Sequence, residues 1–293
     1  MKRIVVGMDF SEEAEVARLQ ARNIAAATGA EMTLVYVVLP PENWDPGGIA
    51  AVGVDYARIV SAEIDSAKEK LAGMSEPEGG DAALVEGVVE VGHPDSSLTE
   101  TAEKLGADLV VVGTHGRTGF RRLLLGSVAE RVVRRSHCSV LVARPRSSGV
   151  GGYDRILVPT DFSALAERAL AEAARLVSPN GVIDVVNWTP ISFPAYGYHT
   201  AYQAPDEYHQ QVANASRERG AELLERLGHL HHKINFQHQV GPATQGIQSL
   251  LDGDTYSLVA MGSHGRRGVR RLILGSVAEA TVRHAPCSVL VAR

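Results

Sequence analysis

One segment of this chain is written twice. Residues 113–144 (GTHGRTGFRRLLLGSVAERVVRRSHCSVLVAR) and 262–293 (GSHGRRGVRRLILGSVAEATVRHAPCSVLVAR) align without a gap, with 23 of 32 positions identical. The start of each half repeats as well, KRIVVGMDFS at 2–11 matching DRILVPTDFS at 154–163. The offset is 152 residues at the first match and 149 at the second, so the halves differ by small loop changes. Such a duplication restricts the chain to two similar domains in tandem. Its 293 residues suit two domains of about 140, each large enough to bury a core. The stretch PRSSGVGGY at 145–153 has the Pro, Ser and Gly content of a connector. The expected division is residues 1–146, a linker 147–153, and residues 154–293.

Within each half, strand and helix signals alternate. Residues 3–8 are an apolar run. Ser11 then caps a helix expected over 12–28, with Glu12 and Glu13 in its first turn and Gly29 as its stop. Strands are expected at 31–38, 83–91, 108–113 and 138–143, with helices over 55–73, from 95 to 105, and from Ser127 onward. The second half repeats the order, with strands near 154–159, 182–188, 233–240, 257–262 and 287–292. Alternation of this kind implies an α/β fold, a parallel sheet with helices on both faces. Ligands of such sheets bind beyond the carboxyl ends of the strands, where the winding reverses. The turn at Asp9 and the loop at Gly113 both fall at such ends.

Composition narrows the partners. Aromatic residues make up only 5%, so the cores must be built from Val, Leu, Ile and Ala, as in buried parallel sheets. The net charge of −5 argues against nucleic-acid binding, which shows a basic excess or patch. No apolar run reaches the length of a membrane span. MKRIVVGMDF runs directly into a strand without the apolar core of a signal peptide, and a cytoplasmic protein is expected. Cys138 and Cys287 occupy equivalent places, each opening CSVLVAR, and read as small buried hydrophobes.

The chemistry concentrates in the glycine segment. Gly113 and Gly116, then Gly126-Ser127 after nine intervening residues, recur as Gly262, Gly265, Gly275 and Ser276. Gly113 ends an aliphatic strand, where the missing Cβ allows a sharp turn and close approach of a ligand. Free N–H groups at the start of the following helix, together with the Ser127 hydroxyl, make an anion site. Arg117, Arg121 and Arg122 add positive charge, as Arg266 does in the second half. The competing reading is that the glycines only make turns and Ser127 only caps a helix. Asp9 and Asp161, each between a strand and a helix, suit a bond to ribose or adenine, or a share in holding a metal. The competing reading is a helix-capping carboxylate, but with Ser11 and Ser163 available as caps the ligand role is favoured.

The pattern V-x-x-D after the first strand, with G-2x-G-9x-G-[ST] after the fourth, resembles the universal stress protein family. The resemblance covers nearly the whole chain, once per half, in the tandem form of that family. It implies two Rossmann-like domains of the adenine nucleotide alpha hydrolase type, each a five-stranded parallel sheet of order 3-2-1-4-5. It also implies ATP as the ligand, with or without Mg2+. Carried onto this sequence, Asp9 faces the ribose and adenine, and Val37 offers backbone groups to adenine. Gly113 and Gly116 line the ribose and phosphates, Arg117 borders them, and Gly126, Ser127 and Val128 bind phosphate. The matching positions in the second half are Asp161, Trp188, Gly262, Gly265, Arg266, Gly275, Ser276 and Val277. Trp188 departs from the aliphatic residue usual there and would either stack on adenine or narrow the pocket. Family members pair through their last strands, so the two halves are expected to form a pseudo-dimer within one chain, with further homodimerisation open.

Other features carry less. His115 and His264 lie inside the loops, but no positioned nucleophile or acidic partner accompanies them, and no catalytic residue is assigned. His199, His209, His229, His231, His232 and His238 show no recognised zinc spacing, and no metal site is assigned. The segment 190–208 gathers aromatic residues in a Pro-rich loop, for which packing is the default. The sequence lacks G-x-x-x-x-G-K-[ST], so this is not a P-loop ATPase. The expectation is a stress-response protein that binds ATP and acts as a nucleotide-dependent regulator. The alternatives are a slow ATPase, or a scaffold for another small molecule or a metal with one nucleotide site vestigial.

Overall fold

The computed structural model describes residues 1–40, 56–75, 85–116, 125–146, 152–189, 206–227, 233–265 and 274–293. It divides into two compact units, Met1–Pro145 and Arg146–Arg293.

In the first unit, β1 (Arg3–Met8), α1 (Glu12–Thr28), β2 (Glu31–Val38), α2 (Tyr56–Ser75), β3 (Val85–Val91), α3 (Pro94–Lys104), β4 (Leu109–Gly113), α4 (Ser127–Arg135) and β5 (Ser139–Ala143) follow in chain order. β1 is central and pairs in parallel with β2 (Val6 opposite Leu34) and with β4 (Val6 opposite Val111). β2 continues to β3 and β4 to β5, so the strands lie in the order β3-β2-β1-β4-β5. The chain winds outward from β1 to β3, then crosses back to β4 and β5. With right-handed crossovers this puts α1 and α2 on one face, and α3 and α4 on the other. α1 lies against β1 and β4, and α3 against α4, β2 and β1.

Local chemistry sets these elements. The Ser11 hydroxyl accepts the Ala14 N–H at 3.2 Å and caps α1, and Gly29 ends it in the left-handed conformation (φ 69°), donating to the Ala25 carbonyl at 2.8 Å. The middle strands are buried on both faces. Ile4, Val5 and Val6 of β1 and Leu109, Val110 and Val111 of β4 are all at most 1% exposed. Burial of this kind, not periodicity, lets an unbroken aliphatic run form a strand.

The second unit repeats the plan with β6 (Tyr153–Thr160), α5 (Ala164–Leu176), β7 (Val177–Thr189), α6 (Asp206–Arg226), β8 (Lys233–Val240), α7 (Ala243–Leu251), β9 (Leu258–Gly262), α8 (Ser276–His284) and β10 (Ser288–Ala292). β6 lies between β7 and β9, β7 also pairs with β8, and β9 with β10, all in parallel. Two details differ from the sequence reading. Tyr153, assigned to the linker, opens β6 and is buried. β7 begins at Val177 rather than 182, because the pairing with β6 shifts between Tyr153 and Arg155 and lets the strand run on through Pro179 and Gly181. Asp184 of β7 is buried and accepts from Arg155 Nε at 2.7 Å, Asn235 Nδ2 at 2.8 Å and Tyr256 OH at 3.1 Å. Among the described residues, no helix is long and apolar enough to cross a membrane.

Candidate nucleotide site

A cleft of about 520 Å³ opens at the carboxyl ends of β1, β2 and β4, bounded by Asp9, Val37, Gly113, Gly116, Gly126, Ser127 and Val128 among others. The first-half residues that the family resemblance assigned to the ligand therefore meet in one place, apart from Arg117. Arg117, Arg121, Arg122 and Arg266 lie outside the described residues, as do His199, His229, His231 and His232 and most of the 190–208 segment.

The turn after β1 is built under strain. Phe10 has φ 61°, and Phe162 in the second half has the same value. A left-handed backbone at a bulky residue costs about 1–2 kcal/mol. The Phe10 ring stacks on Tyr36 at a centroid distance of 4.8 Å, with Lys70 Nζ 5.0 Å from its centroid. A stacked pair contributes about 0.5–1.5 kcal/mol, enough to offset most of that cost. Tyr36 OH in turn donates to Glu63 Oε1 at 2.8 Å, and both residues line the cleft.

The strained turn fixes Asp9. Its Oδ1 accepts the Ser11 N–H at 3.0 Å and the Ser11 hydroxyl, while that hydroxyl accepts from Ala14. The cap thus does not leave the carboxylate wholly to a ligand, as the sequence reading supposed. One oxygen orients the cap, and Oδ2 points toward Gly116. A Cβ on Gly116 would lie 2.6 Å from Asp9 Oδ2. Asp161 repeats this arrangement, accepting the Ser163 N–H at 3.0 Å with Oδ2 2.6 Å from a Cβ placed on Gly265.

The glycines are required for different reasons. A Cβ on Gly113 would lie 2.8 Å from the carbonyl carbon and oxygen of Glu13, so the first turn of α1 demands this glycine. That differs from the ligand-approach reading. A Cβ on Gly262 would lie 2.9 Å from Leu165 Cβ, the same constraint in the second half. Gly126 donates its N–H to the Thr114 carbonyl at 2.7 Å, and a Cβ there would lie 2.9 Å from that oxygen. This bond pinches the glycine loop at its base. Gly275 and Ser263 make the matching bond at 2.8 Å.

Gly126, not Ser127, is the N-cap of α4, and no side chain caps this helix. The N–H groups of Ser127, Val128 and Ala129 therefore face the cleft end of the helix without intrahelical partners. Free amides and the helix dipole together favour an anion at that point. α8 has the same design, with Gly275 as N-cap and no side-chain bond, ahead of Ser276 and Val277. His115 borders the cleft, and its buried Nε2 has no hydrogen-bond partner among the described residues. A buried orphan of this kind calls for a ligand group or water. The counterpart His264 instead lies with Nδ1 3.1 Å from Ser263 Oγ.

Val37 and Trp188 hold the same register position. Val37 follows Tyr36, the partner of Met8, and Trp188 follows Asn187, the partner of Thr160. Val37 is half-buried on the cleft wall, whereas Trp188 is 8% exposed and donates Nε1 to Gln239 Oε1 at 3.0 Å. His238 also has a local role, its Nε2 3.0 Å from Thr189 Oγ1. Burial, followed by the Arg217 charge, pushes its pKa below the usual imidazole value. Sequence reasoning did not find Glu63, Tyr36 or the α3 residues Pro94 and Leu98 in the wall. The acid and tyrosine sit 27 residues apart on consecutive elements, α2 and β2, and meet only through the fold.

The sequence profile described as the universal stress protein family matches residues 1–144 and again 152–293. A universal stress protein of Methanocaldococcus jannaschii is 37% identical over 151 residues, covering 49% of this chain and 82% of that protein. A universal stress protein of Mycobacterium tuberculosis is 29% identical over 319 residues, covering 99% of this chain and 96% of that one. Among solved structures, a universal stress protein from Archaeoglobus fulgidus superposes with a TM-score of 0.69 at 21% identity, covering 99% of this chain and 98% of the other, a likeness of fold. With the profile satisfied in both halves, the chain belongs to the universal stress protein family and carries its domain twice.

Proposed function

We propose that this is a cytoplasmic stress-response protein that binds an adenine nucleotide in the cleft of its first half and acts as a nucleotide-dependent regulator. The observation that carries this reading is the polarity of the cleft. One end is the uncapped start of α4, which suits phosphate. The other is walled by Val37, Pro94 and Leu98, which suits a flat heterocycle. Asp9 stands between them, its Oδ2 toward Gly116, where ribose hydroxyls or a phosphate-bound Mg2+ would meet it. The orphaned Nε2 of His115 supplies a further partner for the ligand.

In this reading, Ser127, Val128 and Ala129 hold the phosphates through backbone amides, and Gly116 keeps room for the sugar. ATP, when bound, supplies the signal by changing the surface the domain presents to a partner. Titration calorimetry of ATP into the full chain is expected to show saturable binding. Gly116→Leu, which fills the cleft, should abolish it while leaving the melting temperature near wild type. Absence of any heat at millimolar ATP refutes the proposal. The same proposal includes pairing of the halves within one chain along their identical SVLVA strands. Cutting the 147–153 connector at an engineered protease site tests this, since the fragments should still co-elute from a sizing column.

A further inference from the structure

We infer that Trp188 closes the base-binding side of the second cradle, so that the chain takes one adenine nucleotide, in its first half. The inference rests on the nucleotide reading above. In the first half the space between the end of β2 and the first turns of α3 opens into the cleft, walled by Val37, Pro94 and Leu98. Strand register and helix position make Trp188, Ala243 and Ile247 their counterparts. There the indole itself lies against the helix. A Cβ placed on Gly246 would fall 1.9 Å from Trp188 Nε1 and 2.6 Å from Cε2, so the ring rests directly on the α7 backbone. Its N–H is taken by Gln239, and 8% of the residue remains exposed.

The replacement is matched on both sides. Where the second half has Trp188 and Gly246, the first has Val37 and Ser97. Glycine in the fourth position of the nine-residue α7 is unfavourable for a helix by about 1 kcal/mol against alanine, and the indole is what occupies the room it leaves. A bonded, packed indole is also poorly placed to swing out and stack on an incoming base. Leaving would expose the Trp ring and strip Gln239 of its partner. The phosphate end of the second cradle is unaffected. α8 is still uncapped, and Asp161 still points at Gly265. The blocked element is the pocket for the heterocycle.

The test is native mass spectrometry of the full chain with ATP, combined with photolabelling by 8-azido-ATP and peptide mapping. One ATP per chain, with label confined to residues 1–145, is expected. Two ATP per chain, or label in the second half, overturns this inference and leaves the nucleotide reading standing. No ATP and no label in either half overturns both. Trp188→Val, alone and with Gly246→Ser, should raise the stoichiometry from one to two. A variant that folds and still takes one ATP would remove Trp188 as the cause. Because the wild-type labelling map needs no variant, the inference can be refuted even if both substitutions fail to fold.

Discussion

Gly113 and Gly116 both border the cleft, three residues apart, and alanine at the two positions is expected to act through different quantities. At Gly113 the new methyl would sit 2.8 Å from the carbonyl carbon and oxygen of Glu13 and 3.0 Å from its Cβ. Those atoms belong to the first turn of α1, which the Ser11 cap holds in place, so the backbone must shift by several tenths of an ångström. Overpacking of this kind costs about 1–3 kcal/mol. For a domain of roughly 150 residues each kcal/mol lowers the midpoint by about 2–4 °C, giving a fall of roughly 2–12 °C. At Gly116 the first atom met is Asp9 Oδ2 at 2.6 Å, and the next is Asp9 Cγ at 3.7 Å. A carboxylate end can turn aside, so stability should change by about 0.5 kcal/mol or less. The turned carboxylate no longer faces the cradle, and ATP affinity should fall about tenfold, equivalent to about 1.4 kcal/mol. Thermal melts followed by circular dichroism, and calorimetric titrations with ATP, separate the two. If Gly113→Ala melts like wild type and only its ATP binding weakens, the assignment of that glycine to α1 packing is wrong.

Four further outcomes follow from the same structure. Ser11→Ala removes the cap of α1 and the hydroxyl bond to Asp9, leaving only the backbone bond from residue 11, so the first half should lose about 1 kcal/mol in denaturant melts and bind ATP more weakly. ATP at a hundredfold excess over its dissociation constant should add about 2.7 kcal/mol, read by hydrogen exchange as protection in the first half. In the second half, burial pushes the Asp184 carboxyl up, but hydrogen bonds from Asn235, Arg155 and Tyr256 together outweigh it and hold the pKa below the usual value. A depressed folded-state pKa stabilises the fold above the unfolded-state value of about 3.9, and that contribution is lost as pH falls through the folded one. Asp184→Asn should therefore cost about 2 kcal/mol at pH 7, with the gap to wild type narrowing in melts near pH 3. Cys138 and Cys287, 5% and 0% exposed, should react with a thiol reagent only on unfolding, and fast reaction in the native protein would contradict the described packing.

Much of the fold was legible because local signals agreed with it. Ser11 and Gly29 mark both ends of α1, and unbroken aliphatics mark β4 and β5. The start of β7 was not legible, since Pro179 and Gly181 read as breaks, and only pairing with β6 across a shifted register makes them strand. At the site, the residues of the glycine loop and the Asp turn could be picked out by spacing. The left-handed backbone at Phe10 could not, because a bulky side chain argues against it and the stacking on Tyr36 that offsets it is non-local. The competing reading of Ser127 as a mere cap fails, because Gly126 takes that place without a side chain. The direction of Trp188 had one available sign, a glycine inside the helical pattern ATQGIQSLL, which suggests that something leans on it.

Gly113 and Gly126 are held by the protein's own atoms, one by a helix turn and the other by the carbonyl that closes its loop. Removing the ligand would relax neither demand. A signature kept in place by upkeep of the scaffold can outlive its occupant, and counting intact loops then overstates the sites of a duplicated chain. The informative residue is the one at the end of the second strand of each half, Val37 in one and Trp188 in the other, where the side chain decides whether a base can enter.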